Sequence, residues 1–159
     1  MGDFIHAAGR LDDILANSAP EKPEKLQLLR QKATYLMAAN DADGAIMALK
    51  QASAEADIKQ KEDIDIDTCL LLRNKDINEA QKLHQNLLLR GAKSDKMQLL
   101  NLCFDIDAEK FDDASAKIEK LLASDNAVLK CPVLEQKLRM QKLRGESTAE
   151  TEKALLAFK

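Results

Sequence analysis

Three alanines, Ala45, Ala80 and Ala114, fall 35 and 34 residues apart, each just after a polar break and before an apolar helical stripe. The segments around them read Asn40-Asp-Ala-Asp-Gly-Ala45-Ile, Asn74-Lys-Asp-Ile-Asn-Glu-Ala80-Gln and Glu109-Lys-Phe-Asp-Asp-Ala114-Ser. A period near 34 belongs to stacked helix-turn-helix units, each too small to bury its apolar face alone. A small side chain recurring at one position predicts a place where two helices cross too closely for anything larger. The spacing therefore predicts an all-α chain of antiparallel helix pairs, and a scaffold rather than an enzyme.

Nine helical segments follow from the periodicity. The first covers about residues 3–17 and ends at Ser18-Ala-Pro-Glu-Lys-Pro23, where two prolines stop one helix and open the next. Leu26, Leu29, Ala33, Leu36 and Met37 recur at helical spacing, and Ala45, Ile46, Leu49 and Ala52 line one face of a partner over 42–56. The next pair is predicted over 61–73 and 77–90. Asp76 and Glu79 have the spacing of a capping box, and Gly91 serves as a stop. Ser94 caps a third pair, 95–108 and 111–124. A last pair starts near Pro132, breaks at Gly145, and resumes after a second predicted capping box, Ser147 to Glu150. Ile64-Asp-Ile66-Asp67 alternates as a strand does, but four residues with nothing to pair against read better as a first helical turn. Only four Phe and one Tyr occur, with no Trp, so Leu, Ala and Met must fill the interior, which suits helix-on-helix packing.

Charge and chemistry-bearing residues narrow the function. A net charge of −3 with both signs mixed lacks the basic footprint of a nucleic-acid binder. No run approaches the ~20 apolar residues of a membrane span. Cys69, Cys103 and Cys131 show no metal or redox spacing, so buried free thiols in a reducing, cytoplasmic setting are the expectation. His6 and His84 stand far apart, leaving no metalloprotease pair and no Cys–His couple. Asp105-Ile-Asp107 opens like a calcium loop, but Lys110 replaces its glycine and Ala116 its bidentate glutamate; Asp63-Ile-Asp65-Ile-Asp67 fails likewise. Both read as solvated helix faces. No catalytic residue, metal or cofactor is predicted. Lys130, Lys137, Arg139, Lys142 and Arg144 form a basic stretch that reads as a solvated outer face or a dock for an acidic partner.

With these residues in place the chain resembles the tetratricopeptide repeat family. Anchoring Ala45 at the family's position 20 puts Leu29, Ala33, Leu36, Leu49 and Ala52 at positions 4, 8, 11, 24 and 27; anchoring Ala80 puts Ile64, Leu71, His84 and Leu87 at 4, 11, 24 and 27, with Thr68 in place of the small residue at 8. With Ala114 as anchor, Ile118 and Leu121 fit, while the preceding helix fits one residue earlier through Met97, Leu100 and Phe104. The usual large aromatic is replaced by Leu36 and Leu71, and the proline at position 32 is missing. The resemblance implies a single helical-repeat domain over 1–159: a partial repeat at 2–19, repeats at about 25–57, 60–92 and 94–126, and a C-terminal helix pair at 131–159. Gly2-Asp3-Phe4-Ile5-His6-Ala7 resembles the opening of a repeat's second helix, as if the chain began in mid-repeat.

The resemblance further implies a right-handed superhelix whose first helices line a concave groove. The family's inward positions fall on Gln27, Arg30, Thr34 and Met37, then Glu62, Asp65, Cys69 and Leu72, then Lys96, Leu99, Cys103 and Ile106. Arg30, Thr34, Met37, Asp65, Cys69, Leu72, Lys96 and Leu99 are thus the expected contacts for a protein or peptide partner. The implied function is an interaction scaffold or adaptor, with a type III secretion-like chaperone or an enzyme's regulatory module as alternatives. The acids Glu62 and Asp65 argue against capture of a terminal carboxylate.

Overall fold

The structure is a computed structural model describing residues 2–158 of the chain. Those residues form nine α-helices and no strand: α1 Gly2–Asn17, α2 Lys22–Ala38, α3 Ala42–Glu55, α4 Ile58–Leu72, α5 Ile77–Leu89, α6 Asp95–Asp107, α7 Phe111–Leu122, α8 Ala127–Arg144 and α9 Ala149–Leu156. The fold is all-α. Two compact units divide between Ala92 and Lys93.

In the first unit each helix packs on the next, from α1 through α5. Leu26, Leu29, Ala33 and Leu36 of α2 meet Ala45, Ala48, Leu49 and Ala52 of α3, with Ala8 of α1 and Ile64 of α4 joining the same cluster. In the second unit α6 packs on α7 and α8, α7 on α8, and α8 on α9. Its core is Leu99, Leu102 and Ile106 of α6, Ala114, Ile118 and Leu121 of α7, and Leu129, Val133 and Met140 of α8. Full burial of a side chain such as Leu102 or Val133 contributes about 1.5–3 kcal/mol. Ala45, Ala80 and Ala114 are each fully buried, as close helix crossings require. Cys69 Sγ lies 3.2 Å from the Ala80 carbonyl oxygen and donates to it, so α4 and α5 cross at one of these alanines.

Helix ends show where local chemistry decides. Asp76 caps α5 by accepting from the amides of Asn78 and Glu79, and Ser94 caps α6 by accepting from Met97. α4 begins three residues before the expected Lys61, because Asp57 and Gln60 form a reciprocal capping box. The box expected at Ser147 does not form. Thr148 is the N-cap of α9, and its hydroxyl bonds the Glu152 carboxylate instead. α8 starts at Ala127 rather than at Pro132, which sits inside the helix. A proline there leaves the carbonyl four residues back without its helical donor. That residue is Val128, 82% exposed, so water reaches it.

Three turns share one backbone solution. Asn40 (φ 63°) ends α2, with the Asp41 amide donating to the Leu36 carbonyl; Glu109 (φ 57°) ends α6, with Lys110 donating to Asp105. Gly91 (φ 75°) ends α5 in the same way, Ala92 donating to Leu87. This motif folds the residue after the glycine back over the last helical turn. Ala92 is accordingly buried, although it lies in a polar loop between Gly91 and Lys93.

Candidate functional site

A groove of about 1110 Å³ lies between α2 and α4 in the first unit. Leu26, Ala33 and Leu49 are buried at its base, with Leu71 half-buried beside them. Gln27, Arg30, Gln31, Thr34 and Met37 rise from α2, and Gln60, Asp67 and Leu70 from α4. Met37 is 42% exposed, a large apolar side chain open to the groove.

Polar groups set its character. Arg30 donates to Asp63 of α4 at 2.6 Å, linking the two walls, with both side chains about 40% exposed (42% and 39%). The Gln31 amide donates to the Tyr35 hydroxyl at 2.9 Å, and the Thr34 hydroxyl to the Arg30 carbonyl at 3.1 Å. Gln60 spends its carbonyl oxygen on the Asp57 amide, which leaves its amino group for a ligand. Arg30 and Asp67 are the charged residues of the lining, with Asp63, the partner of Arg30, beside them. Lys25 joins Glu55 at 2.6 Å, tying the first turn of α2 to the last of α3. That hydrogen bond, reinforced by the lysine's charge, holds the Glu55 carboxyl below its ordinary pKa.

The expected contact residues divide sharply. Arg30, Thr34 and Met37 line the groove, together with Gln27. Asp65, Cys69 and Leu72 do not: they are 7%, 0% and 3% exposed and point into the packing of α4. Asp65 accepts from the Ser53 hydroxyl at 2.6 Å and from Arg90 at 2.7 Å, so it is a buried polar hub and not a solvated acid. In the second unit Leu99 is buried in the core and Lys96 is half-buried. The α4 residues that do face the groove are Gln60, Asp67, Leu70 and Leu71, none of them expected as contacts.

A shorter repeat accounts for the difference. Gln27, Arg30, Thr34 and Met37 are each followed 33 residues later by Gln60, Asp63, Asp67 and Leu70. The alanines of the second helices repeat at 35, and counting both helices from Ala80 turns α4 by two residues, ~200° around its axis. The Asp57–Gln60 capping box was the available signal, since it starts α4 early.

The acids that resemble a calcium loop have cationic partners here: Asp105 pairs with Lys117, and Asp107 with Arg139 at 2.5 Å. Among the described residues no three His, Cys, Asp or Glu side chains gather as a metal site, and no helix is long and apolar enough to cross a membrane. His6 Nδ1 donates to the Gly2 carbonyl oxygen, 2.8 Å away on an exposed face. Compared with models of protein families, with curated proteins and with solved structures, the chain returns no match.

Proposed function

We propose that this chain is a protein-interaction scaffold whose α2/α4 groove holds an extended, uncharged segment of a partner protein with apolar side chains. The groove's composition carries the reading: an apolar base, walls bearing the amides of Gln27, Gln31 and Gln60, and a lining with one arginine and one aspartate as its charged residues. An extended chain leaves its own amides and carbonyls unpaired, and carboxamide side chains can satisfy both. A helical ligand has already paired those groups and would leave the glutamines without a task. At about 1110 Å³ the groove exceeds the roughly 300–1,000 Å³ of ordinary small-molecule pockets, which favours a length of chain.

The same reading takes the helix pairs as tetratricopeptide-like repeats, with a right-handed superhelix as their expected arrangement. The complete burial of Ala45, Ala80 and Ala114 supports it, as do the like turns at Asn40 and Glu109. The three cysteines form no disulfide and two of them are buried, which agrees with a reducing, cytoplasmic setting.

Selection from a random linear peptide library on the full chain tests the proposal. Winners should carry apolar residues with little charge, and should lose binding to a Met37→Glu variant that keeps its helical circular dichroism. Strongly charged winners, or winners indifferent to Met37→Glu, would overturn it.

A further inference from the structure

Among the described residues, the hairpins α2–α3 and α4–α5 meet backbone against backbone only where α3 packs on α4; neither α2 and α4 nor α3 and α5 approach that closely. Two hairpins that meet closely along a single line have there the geometry of a hinge. On one side of it lies the groove between α2 and α4. On the other lies a smaller cleft of about 350 Å³ between α3 and α5, with Ser53, Asp65 and Thr68 among its lining. Asp65 and Thr68 leave α4 on a different face from Gln60, Asp67 and Leu71, so the two concavities flank the hinge.

Polar bridges cross each side, on the groove side above the apolar base that α2 and α4 share through Leu26, Ala33, Ile64 and Leu71. Across the α3/α5 side, Asp43 pairs with Lys75 at 2.7 Å and Lys50 with Glu79 at 2.6 Å. Ser53 of α3 and Arg90 at the end of α5 both donate to Asp65 between them. The two exposed pairs are individually weak. The Asp65 hub is stronger, because a largely buried carboxylate accepts from a hydroxyl and a guanidinium together. Three of the four buried polar residues described in the chain, Ser53, Asp65 and Thr68, sit at this one cleft. Across the groove side the opposing bridge is Arg30–Asp63.

We infer that the polar seam between α3 and α5 sets the width of the α2/α4 groove by rocking the two hairpins about the α3–α4 contact. Drawing α3 and α5 together spreads α2 from α4; loosening that seam lets the groove narrow. Arg30–Asp63 acts in the opposite sense. Charges on the far face of the unit thereby regulate access to the groove, a role that rests on the binding function proposed above. A ligand that needs a wide groove binds better when the seam is closed, because it favours the same position of the rocker.

Distances between nitroxide labels test this without any ligand. One pair of labels, on Gln31→Cys and Lys59→Cys, spans α2 and α4. A control pair, on Gln31→Cys and Gln51→Cys, stays within the α2–α3 hairpin; both are made in a Cys131→Ser background. Lys50→Gln with Arg90→Gln should shorten the α2–α4 distance, and Asp63→Asn should lengthen it, while the control pair stays fixed. Exchanging charges with Lys50→Glu and Glu79→Lys together should restore what Lys50→Glu alone displaces. An unchanged α2–α4 distance, shifts of the same sign in both variants, or equal movement of the control pair would overturn the rocker. Failure of peptide selection with the rocking intact would instead count against the binding function alone.

Discussion

The repeated alanines make the clearest claim at the scale of single residues. Ala45 and Ala80 have no free surface, and Ala80 presents its carbonyl to a buried thiol on the facing helix. Ala45→Leu or Ala80→Leu should cost about 1–3 kcal/mol in urea denaturation through overpacking. Ala54, exposed on the same helix as Ala45, should accept leucine within roughly 0.5 kcal/mol. Glu109 offers a second test, since it holds a left-handed conformation that favours glycine. Glu109→Val should destabilise the chain by about 1–2 kcal/mol, because a side chain branched at Cβ suits that region worst. A neutral result would mean that the α6–α7 turn has another conformation. These alanines were legible in the sequence because spacing alone marks them. The burial of Ala92 was not, because it follows from a backbone turn and not from hydropathy.

For whole helices, caps and loops decide register. Asp57 anchors the first turn of α4, and Gln60 both completes that cap and faces the groove. Asp57→Ala should lower stability by about 1 kcal/mol and raise amide exchange in residues 58–61 ahead of the rest of α4. The helices themselves were readable from apolar period and turn residues, with α4 and α8 misjudged at their starts. What the sequence hid was that a short α3–α4 connection and a longer α4–α5 connection offset one another. The alanines therefore keep their near-34 rhythm while α4 is turned about its axis. Asp65, Cys69 and Leu72 move inward for that reason, and Asp67 and Leu70 move into the groove. The Lys25–Glu55 link adds a small pH dependence between α2 and α3. With the Glu55 pKa lowered on folding, its contribution is present above the ordinary carboxylate value of 4.5 and lost as pH falls through the lowered one. Glu55→Gln should flatten that acid limb of the stability profile.

At the scale of the molecule, the first unit carries an amide-walled groove beside a polar seam. The second unit offers a packed helix core with basic residues on α8, two of them already engaged: Arg139 with Asp107, and Arg144 with Glu146 and over the Phe111 ring. Those pairs reduce the charge left for an acidic partner, so the groove is the better candidate. The most direct measurement is the affinity of one library-selected peptide, by titration calorimetry, for the native chain and two variants. Leu70→Ala removes an apolar wall of the groove, and Lys137→Gln with Lys142→Gln removes charge from α8. The account predicts a loss of roughly tenfold or more for Leu70→Ala and no change for the α8 variant. An unchanged affinity for Leu70→Ala, with loss on α8, would contradict it and place the interface on the basic helix.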